Sequence, residues 1–383
     1  MDMFRKKSLE DIETLVSSSQ LSKTLKAKDI ACMGMGAVIG TGIFVVTGLG
    51  AHLAGPAIII SFILTAIVSS LCALAYSELA TMFPVSGGTY SYTFIAFGEI
   101  VAWMTGWILI LAYLVNCSAV ACGWSAAVVG LLKGFGIEIP KFLAVSCFVD
   151  PEGGINLLAL LMALGISYIL YLGVSQSAKV NNIIIVIKVS IILLFIALGI
   201  GHVNFNNFEP FAPFGWNGIL AGAAVVFFAY TGFDAVSTAA EETVNPGRNI
   251  PLGLGICMTV VIILYVAVSF VLTGMVPFDT IDITNPLPAA LMSIGVQWGS
   301  ALVAVGAIIG MLSSFMVTLY GQIRVFMTMS RDGLLPGLFS KVHPVHVSSV
   351  YLLWSRRRRP YPHYHGVSYG SGGRNGGLPE CPR

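Results

Sequence analysis

Two short stretches place ligand-handling chemistry inside a chain that is otherwise apolar. The first is GMGAVIGTGIFVVTG, which holds Gly34, Gly36, Gly40, Gly42 and Gly48. The second is Tyr230-Thr231-Gly232-Phe233-Asp234, inside AGAAVVFFAYTGFDAVSTAAEE. A helix in lipid must pair its backbone groups internally, and unwound backbone is tolerated at that depth only where it lines a cavity or lies against protein. A half-helix that begins at a break offers unpaired N–H groups and the positive end of a dipole, which hold a carboxylate without any cationic side chain. Carbonyls left over at the opposing helix end accept hydrogen bonds from an ammonium group. N–H groups beside carbonyls suit a zwitterion, and an α-amino acid is the obvious one. Gly40 and Gly42 allow close approach, and Thr41 adds a hydroxyl. A packing reading stays open, because Gly36 and Gly40 form a GxxxG pair that lets helices approach closely. A dinucleotide loop fails on context, since the polar KTLKAKD and no strand precedes Gly34.

Two ionisable residues lie within apolar runs. Lys188, in NNIIIVIKVSIILLF, is six residues past Asn182, about 9 Å at 1.5 Å per residue. From there it either snorkels to the membrane surface or serves function, the default for a charge within the bilayer. Asp234 follows the second interruption. It either faces the ligand and attracts a cationic side chain, or caps the second half-helix, and the cap is preferred because Asp is a strong N-cap residue. Glu78, Glu241 and Glu242 stand near span ends and read as structural partners of loop residues such as Arg248. The six histidines are scattered, with four of them from His343 onward. No catalytic or metal constellation follows from them, and neither a cofactor nor an enzyme activity is expected. The seven cysteines form no CxxC pair and read as small buried hydrophobes.

The elements that must position these residues are membrane helices. Of 383 residues, 56% are hydrophobic and 10% charged, against roughly 25% charged in soluble domains. A spanning helix needs about 20 apolar residues. Eight are expected, at roughly 30–52, 56–80, 94–132, 156–175, 180–202, 216–240, 251–275 and 298–328. No alternating ten-residue pattern supports a barrel. Arg5, Lys6, Lys7, Lys23, Lys26 and Lys28 in the N-terminal tail, with Lys179, Arg248, Arg331 and Lys341, fall on one side, and only Lys133 and Lys141 on the other. The positive-inside rule therefore puts the N-terminus in the cytoplasm. The net charge of +2 comes from scattered basic residues, so no nucleic-acid partner is expected. The interruptions fall in spans one and six. The second lies five spans after the first, so the two copies enter the membrane from opposite sides, which is the mark of inverted-topology repeats with a midplane substrate site. A channel would need charge rings or a filter loop, and a purely structural protein has no reason for two broken helices.

Four motifs in order, GAVIGTGIF, AYSELATMFPVSGGTYSYTFIAFGE, FFAYTGFDAVSTAAEETVNPGRNIPLG and MTMSRDGLLP, span residues 30 to about 346. They resemble the amino acid–polyamine–organocation superfamily of permeases, and within it the cationic amino acid transporter family. The resemblance implies an all-α LeuT-type inverted-repeat fold with helices one and six discontinuous. It also implies proton-coupled, sodium-independent amino acid uptake across the cell membrane. Carried over, Ile39, Gly40, Thr41 and Gly42 hold the substrate carboxylate. Phe227, Phe228, Ala229 and Gly232 lie around the ammonium group and side chain, with Phe228 a gate; ordinary helix packing is the competing account of the two phenylalanines. The family places a lysine at the position of Lys188, where sodium-coupled relatives bind a cation. Its ammonium would link span five to span-one carbonyls and to Ser313 or Ser314, and a lysine held out of water can release its proton in one state of a cycle. One departure is Ala112 before Tyr113, where many relatives have an acidic residue; it weakens any strict preference for cationic amino acids. PVSGGTYSY resembles the family's inner re-entrant loop.

The expected organisation is a cytoplasmic tail over 1–29, a first five-helix repeat over 30–202, an outer loop with a partial second repeat over 203–346, and an aberrant basic tail over 347–383. That tail contains four consecutive arginines and no spanning run. It reads either as a lipid-attracted basic segment or, preferably, as the product of a frameshift that replaces further spans. The alternative is a non-transporting membrane fragment or a structural or ligand-sensing membrane protein. The expected partners are a small amino acid, protons and the bilayer, with the oligomeric state open.

Overall fold

The computed structural model describes residues 6, 23–134, 136–146, 152–171, 174–283 and 285–340. Most of the expected N-terminal tail, Lys341, and the whole of the expected aberrant tail over 347–383 lie outside the described residues. Apart from two isolated bridge pairs, the described chain is helical.

The first apolar run is not one regular helix. Helix α1 covers Ala27–Val38 and stops where Ile39 turns extended, with ψ at 91°. A π-helical turn follows over Gly42–Val46, then α2 over Thr47–Ala54. Single π turns inside α-helices are uncommon and concentrate at functional sites. Thr47 donates its hydroxyl to the Ile43 carbonyl at 2.8 Å, so the turn is satisfied from within. A Gly55-Pro56 turn leads to α3, Ile58–Met82. The chain continues with α4 (Thr89–Phe97), α5 (Glu99–Gly134), α6 (Leu157–Tyr171) and α7 (Val174–Gly199). Helix α8 covers Gly215–Tyr230, and the short α9 covers Phe233–Ser237. Between them Gly232 has φ +112°, a left-handed conformation that glycine adopts without a Cβ penalty. Helices α10 (Pro246–Met275), α11 (Pro286–Ser293) and α12 (Gln297–Arg331) follow.

Six helical runs among the described residues are long and apolar enough to cross a membrane, against eight expected. The difference has two sources. Residues 27 to 82, with the break at Ile39 and the turn at Gly55-Pro56 inside them, count as one 56-residue stretch that takes in the first two expected spans. The fourth expected span appears as Leu157–Tyr171, a shorter apolar helix of 15 residues.

Two packing groups emerge. Helices α1, α2, α3, α8 and α10 pack on one another, and α5, α6, α7 and α12 do the same. They meet where α1 lies against α7 and α12. That seam is built from small residues: a Cβ on Gly40 would come within 2.7 Å of Ser314. The outward faces carry Ile67, Val68, Leu71 and Leu74 on α3, and Ile108, Leu111 and Leu114 on α5, all exposed. Such a contiguous apolar surface is unsustainable in water and ordinary in lipid. Trp103 and Trp107 near one end of α5 are half-exposed, as expected of aromatics at a membrane interface.

Candidate functional site

The end of α1 leaves four carbonyls without intrahelical donors, as every helix terminus does. Here each of them meets a side chain from another helix. Lys188 of α7, fully buried, donates from Nζ to Gly36 O at 3.2 Å and to Ile39 O, with Gly310 O at 3.4 Å. Ser313 of α12 reaches Gly36 O at 3.3 Å and Gly310 O at 3.0 Å. Ser314 donates to Ala37 O at 2.9 Å. Tyr265 of α10 has its hydroxyl 2.8 Å from Val38 O. An ammonium and three hydroxyls thus replace the missing turn of helix. The α1 carbonyls are thus occupied by the protein's own donors, among them Lys188, Ser313 and Ser314.

Tyr265 does more than finish α1. The same hydroxyl is 3.1 Å from Ala229 O, in the last turn of α8. One phenolic proton therefore stands between the two interruptions. The ring is fully buried, edge-on to Phe62 at 5.6 Å and tilted against Tyr230 at 5.1 Å. The interruptions also touch directly. A Cβ on Gly42 would lie 2.5 Å from Ala229 Cα, and one on Gly232 would lie 2.9 Å from Ala37 Cβ. Only a residue without a side chain fits at Gly42, because what it meets is backbone.

Ile39, Gly40, Gly42, Ala229 and Gly232 are accordingly brought together with Lys188, Ser313 and Ser314. Ile39 is fully buried and Ala229 is 1% exposed, while Thr41 is half-buried, with its methyl toward Gly123 of α5. Phe227 and Phe228 are 41% and 39% exposed. Phe228 contributes its carbonyl, which accepts the Thr231 hydroxyl at 2.8 Å. Asp234 is the second residue of α9, with Gly232 at the N-cap position. Its Oδ2 accepts the Tyr113 hydroxyl of α5 at 2.6 Å, which links the second interruption to the other packing group.

At the end of the molecule where α1 begins, a buried charge cluster ties four segments together. Arg324 of α12, 1% exposed, pairs with Glu242, 2% exposed. Arg331 pairs with Glu241 at 3.0 Å, and Glu241 accepts Ser86 N at 2.8 Å. The backbone carbonyl of Glu242 accepts from Thr24 N and Leu25 N, just before α1. The glutamates are structural partners, but of arginines on α12 and not of Arg248. Arg324 had a readable signal, a charge inside the apolar run LYGQIRVFMTM, which by itself marks a candidate. Tyr265 had none, because a tyrosine in an apolar helix is unremarkable until its partners are placed. Among the described residues no group of three metal-ligating side chains occurs.

Comparison with known proteins bears on this arrangement. A methylthioribose transporter of Bacillus subtilis (strain 168) is 46% identical over 343 residues, covering 89% of this chain and 74% of its own length. The branched-chain amino acid permease BcaP of the same organism is 44% identical over 356 residues, covering 92% and 77%. The vacuolar cationic amino acid transporter 4 of Arabidopsis thaliana is 36% identical over 357 residues, covering 89% and 58%. The family model described as amino acid permease matches residues 25–355. The chain therefore belongs to the amino acid permease family: it is a multi-pass membrane transporter of amino acids and not an enzyme.

Proposed function

We propose that this permease binds a neutral α-amino acid at the two helix interruptions and moves it across the cell membrane with a proton carried by Lys188. The observation that carries the reading is the shared hydroxyl of Tyr265, within reach of Val38 O and Ala229 O. It supports an arrangement in which spans one and six are both discontinuous and face each other, as in a LeuT-type inverted repeat with repeats near 30–202 and 203–346. The N–H groups that open the helix at Thr41 and Gly42 take the substrate carboxylate, with Ile39 and Gly40 shaping the approach. The end of α8, at Phe227, Phe228 and Ala229, takes the ammonium group and side chain, with Gly232 providing the turn. The α1 carbonyls already accept from Lys188, Ser313, Ser314 and Tyr265. Asp234 holds Tyr113 and closes the second interruption. The Lys and Arg bias supports an N-terminus inside the cell.

A branched-chain substrate is the specific reading. The BcaP relative carries that name, and Ala112 supplies no carboxylate for a cationic side chain. A second reading has its own support: the relative named for methylthioribose is similar at 46%. That molecule has neither ammonium nor carboxylate, but it shares a short apolar tail with leucine.

Purified protein in liposomes, given a pH gradient and radiolabelled leucine, lysine or methylthioribose, tests the reading. Leucine uptake is expected, dissipated by a protonophore and lost in Lys188→Ala, with leucine exchange retained in that variant. Uptake indifferent to the gradient, or full gradient-driven uptake by Lys188→Ala, refutes the coupling. Methylthioribose uptake in place of leucine selects the second reading.

A further inference from the structure

Helix α7 presents a second polar residue to α1, two turns from Lys188. Asn181 is 1% exposed, and neither its Oδ1 nor its Nδ2 has a hydrogen-bond partner. Its neighbour Asn182 donates to Asp29 Oδ1 at 2.8 Å, while the Asn182 Oδ1 also lacks a partner. Three unpaired buried polar atoms on adjacent residues demand an explanation, because each costs about 1–3 kcal/mol if nothing satisfies it. Ordered water is the ordinary solution.

The placement is specific. Asn181, Ile185, Lys188 and Ile192 form the buried stripe of α7. The Asn181 amide lies against Gly36, where a Cβ would be 2.5 Å from its Oδ1. The carbonyl of that same Gly36 accepts Lys188 Nζ at 3.2 Å. Asn181 therefore stands at most roughly 10 Å from the ammonium along the seam, a gap that two or three waters bridge at ordinary hydrogen-bond spacing. On its other side Asn182 and Asp29, 8% exposed, lead to the chain end where Lys26 and Lys28 are exposed. Ionisable side chains beside this line on other helices include Cys257 on α10, whose Sγ would lie 2.7 Å from a Cβ on Gly34, and Asp29 on α1, which accepts from Asn182.

We infer that Asn181 is the water-holding residue of a proton path between Lys188 and the membrane face where α1 begins, running along the α1–α7 seam. This rests on the proton reading of Lys188 given above. In the step, an N–H bond of the Lys188 ammonium breaks and its proton joins a seam water, leaving a neutral amine. That water passes a proton outward along the chain, and reloading runs in reverse. The Asn181 amide stays unchanged, accepting from one water at Oδ1 and donating to another from Nδ2. Its apolar neighbours Ile183, Ile184 and Ile185 offer nothing comparable.

Net uptake requires the empty carrier to exchange its proton with water in each cycle, whereas substrate exchange does not. Liposomes containing wild type, Asn181→Leu, Asn181→Ser or Lys188→Ala separate the two. Asn181→Leu keeps similar volume and removes the polar atoms, so leucine exchange is expected within about twofold of wild type. Its gradient-driven net uptake is expected to fall at least tenfold, and Asn181→Ser, which can hold a water, is expected to restore most of it. Net uptake unchanged in Asn181→Leu overturns the inference, as does a parallel loss of exchange and net uptake in both Asn181 variants, which marks a packing role. If Lys188→Ala loses coupling while Asn181→Leu does not, the path fails and the Lys188 reading survives. If Lys188→Ala stays fully coupled, that reading fails first and takes the inference with it.

Discussion

Replacing Tyr265 by phenylalanine isolates one hydroxyl. The ring keeps its edge contacts with Phe62 and Tyr230 and its full burial. What disappears is the donor 2.8 Å from Val38 O and 3.1 Å from Ala229 O. Val38 is the last residue of α1, so its carbonyl has no helical partner to fall back on. Leaving such an acceptor buried and unpaired costs about 1–3 kcal/mol. Tyr230→Phe is the matched control. Its hydroxyl reaches Phe62 O at 3.3 Å, and Phe62 lies inside α3, where the carbonyl already accepts an intrahelical bond. The control is expected to cost less than about 1 kcal/mol, at the low end for a net hydrogen bond. Unfolding in mixed micelles, with both variants followed beside wild type, measures the difference. Equal stability of Tyr265→Phe and wild type, or a larger loss in Tyr230→Phe, refutes the claim that this hydroxyl completes the α1 terminus.

Two further substitutions probe other parts of the account. Arg324→Met strands Glu242 as a buried unpaired carboxylate and is expected to cost about 3–5 kcal/mol. Adding Glu242→Leu removes the stranded charge and is expected to recover most of that loss, read as folded yield and thermal midpoint in detergent. Gly42→Ala places a methyl 2.5 Å from Ala229 Cα. Overpacking of this kind costs about 1–3 kcal/mol, and at a contact between the two interruptions it is expected to lower leucine uptake at least about tenfold. Gly165→Ala on α6, where a Cβ meets nothing within 4 Å, is expected to leave uptake unchanged.

The parts of this molecule that the sequence discloses are those in which a residue type carries its own physical signature. Glycine is such a type: the cluster from Gly34 to Gly42 and the lone Gly232 mark places where backbones approach, and the packing at Gly42 and Gly232 depends on the missing Cβ. A charge in an apolar run is another, which is why Lys188 stands out by position alone. The helix count was harder. Leu157–Tyr171 is shorter than its apolar composition suggested, and the tight Gly55-Pro56 turn joins the first two expected spans into one stretch by length. The completion of α1 was not legible, because its acceptors are main-chain carbonyls, which every residue has. Tyr265 lies 227 residues from Val38 and 36 from Ala229, and no spacing rule joins a hydroxyl to a carbonyl across that distance. For the same reason Glu241 and Glu242 read as partners of loop residues such as Arg248, whereas they pair with Arg331 and Arg324 on α12.

The central claim is that main-chain groups at two facing interruptions take both ends of a zwitterion. Competition against radiolabelled leucine on purified protein tests it most directly, with isopentylamine, which lacks the carboxylate, and 4-methylpentanoate, which lacks the ammonium. Each analogue forfeits at least one set of charge-assisted hydrogen bonds, about 1.5–3 kcal/mol per bond. The account predicts that unlabelled leucine displaces the label and that each analogue requires at least about a hundredfold higher concentration. Displacement by either analogue at concentrations similar to leucine contradicts it.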